Sequence, residues 1–439
     1  MAAFPDGFVW GVSTAAYQIE GGVKQNGRGP SIWDTFSHSP GRTRGGDSGD
    51  VACDHYHRYR EDVALMAELG VGAYRFSLAW PRLMPTGRGR AHPGGIDFYS
   101  RLVDALLDAG IEPWVCLYHW DLPQALEDKG GWTNRDVAHW FADYAHEAAS
   151  VLADRVRNFI TFNEPGVVSL MGHGYGVHAP GRSSQADVLR AVHHLNLAHG
   201  GAVEAMRAVD ANLHLGAVVN VQSVQPSASR DEEAAELLDL FWNKAFPDPV
   251  YLGEYPERLA EMLGPIVEDG DLARINQPVE FIGLNHYSPL YARADRNAAI
   301  GAVIAPPPAG RPVTGMGWEI APAAFTEALL TVQERYGPMA VYVTENGYGA
   351  DAPDRQAPDA GDSARIDYLN AYLAAAAAAI EQGVDLRGYF LWSLLDNFEW
   401  AEGYAKRFGI VHVDYETLKR TPKASYHWYQ SVIANNRLP

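Results

Sequence analysis

Short apolar runs rich in β-branched and aromatic residues recur along the chain at residues 8–13, 73–79, 113–118, 158–162, 213–219, 281–284, 339–344 and 389–392. Each has the length and composition of a buried strand. Between most of them the apolar positions fall at helical spacing, as at residues 59–69, 98–109, 137–152, 324–335 and 363–381. Regular alternation of strand and helix predicts a parallel sheet covered by helices. Eight repeats predict that the sheet closes into a single-domain (β/α)8 TIM barrel over residues 1–439. Two stretches break the rhythm after the sixth and seventh runs: residues 292–317, with Pro306-Pro307-Pro308, and residues 349–362. They predict long loops at the C-terminal face of the strands, where barrel enzymes build their sites. As plain decoration they would look the same. No linker divides the chain, and no repeat of solenoid length appears.

Polar and aromatic residues cluster just past the apolar runs. Gln18 follows the first, His119, Trp120 and Asp121 the third, and Asn163 and Glu164 the fourth. Asn285 and Tyr287 follow the sixth, Glu345 the seventh, and Glu399 and Trp400 the eighth. In a barrel these positions converge on one rim. Arg75 sits inside the second run, where a cation is costly unless a carboxylate meets it. Taken singly, each residue has a plainer reading: Arg75 as a structural ion pair, His119 as a core histidine, Trp120 and Trp400 as core. The recurrence at one end of successive strands favours a site. Two glutamates at strand ends match the requirement of glycoside hydrolysis for one proton donor and one nucleophile or charge stabiliser.

Composition narrows the field. With 47% hydrophobic and 20% charged residues the chain folds around a large core. A net charge of -19 argues against nucleic acid or an anionic membrane as partner and leaves a small neutral or cationic ligand. Cys53 and Cys116 have no CxxC spacing, which predicts two reduced thiols rather than a disulfide scaffold or thiolate metal site. The start of the chain lacks a basic then apolar signal pattern, and the apolar run near Tyr372 is too short to span a membrane, so a cytoplasmic location is expected. His55 and His57, or His193 and His194, are the only metal ligands worth weighing; without HExxH or an acidic cluster no metal or other cofactor is expected. Gly172 to Gly176 misses the third glycine of GxGxxG, and there is no GxxxxGK[ST] or GxSxG. The 12 Trp and 22 Tyr suit stacking on sugar rings, though they suit a core as well.

With these residues in hand, the sequence resembles glycoside hydrolase family 1, the retaining β-glucosidase family, nearly end to end. The resemblance is carried by Phe4-Pro5-Asp6-Gly7-Phe8-Val9-Trp10-Gly11, Thr14-Ala15-Ala16-Tyr17-Gln18-Ile19-Glu20-Gly21, Tyr74-Arg75-Phe76-Ser77 and Tyr118-His119-Trp120-Asp121-Leu122-Pro123. It continues through Thr161-Phe162-Asn163-Glu164-Pro165, Val343-Thr344-Glu345-Asn346-Gly347, the run from Trp392 to Trp400, and Lys406-Arg407-Phe408-Gly409. It implies Glu164 as acid/base and Glu345 as nucleophile. Arg75 and Tyr287 match groups that contact the nucleophile, and Asn285 one near the sugar 2-hydroxyl. Gln18, His119, Trp120, Asn163, Glu399 and Trp400 match positions that hold the sugar, with Trp392 beneath it, Phe408 nearby and Trp318 at the aglycone entrance. One position departs: His286 lies where relatives often carry a second tyrosine, which could alter the pocket wall.

The expected function is a β-glucosidase acting through a covalent glycosyl-enzyme, with galactose or fucose tolerated and an unphosphorylated sugar favoured because Glu399 places a carboxylate near O4 and O6. Arg75 is expected to keep Glu345 ionised, and the charge of Glu345 to keep Glu164 protonated. Transglycosylation by the same intermediate is one rival. A sugar-binding protein without activity is another, disfavoured because both glutamates are present. The oligomeric state is not legible.

Overall fold

The computed structural model describes residues 3–352 and 362–439. Eight parallel strands close into a barrel: Val9–Ser13, Ala73–Ser77, Glu112–Tyr118, Asn158–Asn163, His214–Asn220, Phe281–Asn285, Ala340–Asn346 and Leu386–Trp392. Neighbours in sequence pair along the wall, and the last strand pairs with the first through Val9↔Gly388 to Ser13↔Trp392. All eight expected strands are present, displaced by one to three residues at their ends. The barrel is packed, not hollow. At its floor Trp114 meets Phe281, Tyr342 and Phe390 at ring distances of 5.3, 4.7 and 5.1 Å.

Helices cover the outside because their apolar stripes must be buried. In Val137–Leu152 the buried set Val137, Phe141, Tyr144, Ala145, Ala148 and Leu152 follows the three-to-four spacing of one helix face. Phe141 stacks on Phe162 of the fourth strand at 4.5 Å. The long helix Gln185–Val209 was not anticipated, since His193-His194 and Gly200-Gly201 dilute its apolar pattern. Its Gly200 is there for closeness: a Cβ would stand 1.9 Å from the Arg274 carbonyl oxygen of the neighbouring helix Asp271–Ile275.

The stretch 292–317 corrects the sequence expectation of a loop. Leu290–Ala294 pairs antiparallel with Ala302–Ala305 and parallel with Val224–Pro226, forming a three-stranded side sheet at the rim. These strands are three to five residues long, and the adjacent prolines hide them from periodicity. In the second expected loop, Ala350–Asp351 pairs with Lys406–Arg407. Residues 353–361 of that expectation lie outside the described residues. No helix among the described residues is long and apolar enough to cross a membrane.

Candidate active site

The two glutamate motifs are shaped by their backbones. The fourth strand ends at Asn163, the chain turns through left-handed backbone at Glu164 (φ 49°), and Pro165 opens a short helix, Pro165–Val167. Proline suits that first turn, where an N–H would have no partner. Trp120 (φ 76°) and Trp400 (φ 49°) share the left-handed region. Such strain costs on the order of 1–3 kcal/mol and concentrates where side chains must be aimed. In the seventh strand the register shifts between Val343 and Glu345, which sets Glu345 opposite Asn285. Gly347 then permits the exit, because a Cβ there would fall 1.7 Å from the Trp392 carbonyl oxygen.

Arg75, Asn163, Glu164, Asn285, Tyr287 and Glu345 form one connected buried network. Arg75 donates to Glu345 Oε1 at 2.7 Å and to Asn163 Oδ1 at 2.5 Å. Tyr287 donates its hydroxyl to Glu345 Oε2 at 2.9 Å. Asn285 Nδ2 donates to Asn163 Oδ1 at 3.0 Å and to Glu164 Oε1 at 2.9 Å, while Thr344 donates to Asn285 Oδ1 at 2.7 Å. Asn220 Nδ2 adds a second donor to Glu164 Oε1 at 2.7 Å. The sequence reading missed Asn220. It ends the fifth strand as Asn163 and Asn285 end the fourth and sixth, and that position was its only signal.

These bonds make the glutamates unequal. Both oxygens of Glu345 accept hydrogen bonds, one from a cation, as befits a carboxylate. Burial pushes its carboxyl above the usual range, and Arg75, Tyr287 and Asn285 offset only part of that. For Glu164 both donors converge on Oε1, leaving Oε2 for a proton. Burial first, and the charge of Glu345 second, push Glu164 up to about 8. The expectation that the neighbouring charge holds the proton is therefore met only in second place.

The sugar-side residues join the same network. Because Asn163 Oδ1 accepts from Arg75 and Asn285, its Nδ2 is left to donate to His119 Nε2, 3.1 Å away. The proton of His119 therefore sits on Nδ1, and burial, with Arg75 second, holds the ring well below the usual histidine range. His119 Nδ1 and Gln18 Oε1 are buried without protein partners, which is what a site awaiting hydroxyl groups presents. Gln18 Nε2 donates to Asn397 Oδ1, to the Phe398 carbonyl and, at 3.3 Å, to Glu399 Oε2. Trp392 stacks on His119 at 5.7 Å, and Trp120 packs on Trp400 at 4.6 Å while donating to the Asn163 carbonyl. Trp318 lies 5.2 Å from the Tyr287 ring, with Phe408 6.0 Å from both. All the expected site residues are thus assembled at one end of the barrel.

Burial, and then the charge of Glu345, push the Glu399 carboxyl up to about 8. His286 is fully buried, its Nδ1 bonded to the Val221 carbonyl at 2.9 Å and its ring 5.1 Å from Phe325, so it packs behind the pocket wall. The histidines weighed as metal ligands have other partners: His55 with Asp62, His57 with Asp54, His193 with Tyr255 and Asp271, and His194 with the Trp132 carbonyl.

A barrel with two inequivalent buried glutamates on one rim, ringed by amides and indoles, defines a glycosidase type of site. Comparison with known proteins agrees. The profile of Glycosyl hydrolase family 1 matches residues 1–438. Beta-glucosidase A of Thermotoga maritima is 48% identical over 441 residues, covering 99% of this chain and 98% of that protein. The bifunctional beta-D-glucosidase/beta-D-fucosidase of Bifidobacterium breve is 46% identical over 461 residues, covering 99% and 98%. The structure of beta-glucosidase from Thermotoga maritima in complex with noeuromycin superposes with a TM-score of 0.93 at 47% identity over 100% of both chains. The chain belongs to glycosyl hydrolase family 1. It is a glycoside hydrolase.

Proposed function

We propose that this protein is a retaining β-glucosidase acting as one catalytic domain over residues 1–439. It removes terminal β-glucosyl groups and tolerates fucosyl or galactosyl ones. The observation that carries this reading is the asymmetry of the two glutamates: Glu345 accepts from Arg75 and Tyr287 on its two oxygens, while both donors to Glu164 fall on Oε1 and leave Oε2 open. The names of the relatives from Thermotoga maritima and Bifidobacterium breve support glucose first and fucose second.

In the first step a Glu345 oxygen bonds to the anomeric carbon as the bond to the aglycone oxygen breaks. The Glu164 proton passes to that oxygen, and an alcohol leaves. In retaining enzymes the two carboxyl groups stand about 5–5.5 Å apart, close enough for direct attack. Esterification removes the charge of Glu345, one of the two main causes that raise Glu164, so its pKa falls. Glu164 then takes a proton from water, which attacks the same carbon and frees Glu345. Net configuration is retained.

Around the sugar, the His119 Nδ1–H donates, Gln18 Oε1 accepts, and Glu399 presents its carboxyl. None of these supplies a cation for a phosphate, which favours an unphosphorylated glycone. The two free buried thiols, Cys53 and Cys116, support a cytoplasmic setting. The reading is tested by product release from p-nitrophenyl β-glucoside, fucoside and galactoside, with the anomer of the first-formed sugar read by NMR. Release in the order glucoside, fucoside, galactoside with β-anomer first is expected. An α-anomer would contradict retention, and no release from any of them would leave a sugar-binding protein.

A further inference from the structure

The site opens outward into a cavity of about 570 Å³, and one buried lysine outside its lining is tied to the segment that holds the sugar. Lys423 directly precedes the C-terminal helix Ala424–Asn435 and is 3% exposed. Its Nζ donates to Asp396 Oδ1 and to the Gly409 carbonyl, both at 2.8 Å. Asp396 also accepts from Gly409 N at 3.1 Å on the same oxygen and from Arg407 at 2.8 Å on the other. The backbones of residues 393–396 and 408–411 are bonded to each other, Ile410 N to the Ser393 carbonyl and Asp396 N to the Val411 carbonyl, each at 3.0 Å. Lys423 therefore closes a clamp across two limbs of one hairpin. The first limb runs from Trp392 through Asn397 and Phe398 to Glu399. Asn397 Oδ1 and the Phe398 carbonyl take the Gln18 amide at 3.0 and 2.8 Å. The second limb carries Phe408.

We propose that Lys423 is a positioning residue for the sugar: by fixing Asp396 against Gly409 it sets where Gln18 and Glu399 meet the glycone. The proposal rests on the glycosidase reading above. A methionine would fill the same space without stripping water from a cation, so what the ammonium adds is direction. Burial pulls that ammonium down to about 8, with Asp396 opposing. Burial would raise Asp396 as well, yet Lys423 and then Arg407 hold it below the usual carboxylate range. Arg75, Glu164, Tyr287 and Glu345 stand on or beside other strands of the barrel. A slack clamp would loosen the grip on the sugar and spare the pair that reacts.

Lys423→Met tests this, because it leaves Asp396 paired with Arg407 and strands no carboxylate. p-Nitrophenyl β-glucoside and its 6-deoxy analogue differ by one hydroxyl. By the family resemblance Glu399 lies near O4 and O6, so the ratio of the two kcat/KM values reads how well Glu399 is held. The variant is expected to raise KM for the glucoside severalfold with kcat within about twofold, and to lower the ratio about threefold or more as part of the hydrogen bond to O6 is lost. Lys423→Gln, which keeps an amide donor, is expected to fall between Met and wild type. Each ratio is read within one preparation, so an incompletely folded fraction does not alter it. An unchanged ratio in both variants, including one already near unity in the wild type, overturns the proposal, because equal losses on both substrates mean a general loosening of the barrel. If the wild type cleaves the glucoside while the ratio stays put, only the role of Lys423 falls; if it cleaves neither substrate, the glycosidase reading falls too.

Discussion

Glu399→Gln is expected to make the protein more stable, by a margin that grows as pH rises from about 4.5 to about 8. Glu399 is raised from 4.5 to about 8 in the folded chain, by burial first and by the charge of Glu345 second. Between those two pH values the native state holds a proton that the unfolded chain has released, so stability falls as pH rises through the window and the full penalty is present above 8. The difference corresponds to an upper bound of about 5 kcal/mol at 1.36 kcal/mol per pH unit. The carboxyl edge is open to the cavity, which reduces this to on the order of 3 kcal/mol. An unfolding entropy of about 2.1 cal/mol/K per residue, scaled to 439 residues, converts that to a gain of about 3 °C in Tm. Glutamine keeps the shape and an acceptor for Gln18 Nε2 but cannot ionise. Thermal scans of both proteins at one heating rate from pH 5 to pH 9 provide the assay. The curves should lie close near pH 5 and separate progressively up to about pH 8, with the variant higher. Parallel curves, or a gain confined to low pH, would mean that Glu399 does not take up a proton on folding.

Arg75→Met should cost about 3–5 kcal/mol at pH 7, because it strands a buried carboxylate, and adding Glu345→Gln should recover most of the loss; urea unfolding of the single and double variants decides this, with equal stability of wild type and single variant as the contrary result. The alkaline limb of kcat/KM should lie near pH 8, set by Glu164. Asn220 favours the charged form of Glu164 through its hydrogen bond, so Asn220→Ala should move that limb to higher pH, and a limb that stays put or moves down would deny Asn220 this role. Glu164→Ala should slow alkyl glucosides, with poor leaving groups, at least about a hundredfold more than activated aryl glucosides, and equal losses in steady-state rates would exclude an acid role.

The barrel was legible because a strand buried on both faces leaves a continuous apolar run, and eight such runs separated by helical spacing admit few arrangements. The helix Val137–Leu152 was readable to both ends from its stripe. The side sheet was not, since Val224–Pro226 and Ala302–Ala305 are too short to show a period and draw their stability from pairing. Among site residues, Glu164, Glu345 and Arg75 stood out by charge in apolar surroundings. Asn220 has no such contrast, and its importance appears only where the fifth strand ends beside Glu164. The upward shift of Glu399 is likewise invisible in a sequence, because burial and the nearness of Glu345 are properties of the assembled barrel. His286, which the resemblance marked as a departure that could alter the pocket wall, lies just past the strand end with its ring turned to the Val221 carbonyl and Phe325.

The central claim is that Glu345 bonds to the sugar while Glu164 moves the proton. Glu345→Gly with azide tests it most directly, because azide can occupy the vacated space and attack from the same face as the missing carboxylate. Negligible release of p-nitrophenol from the β-glucoside is expected without azide and restored release with it, the product being α-glucosyl azide by NMR. Wild-type rates without azide, or β-glucosyl azide as product, would contradict it.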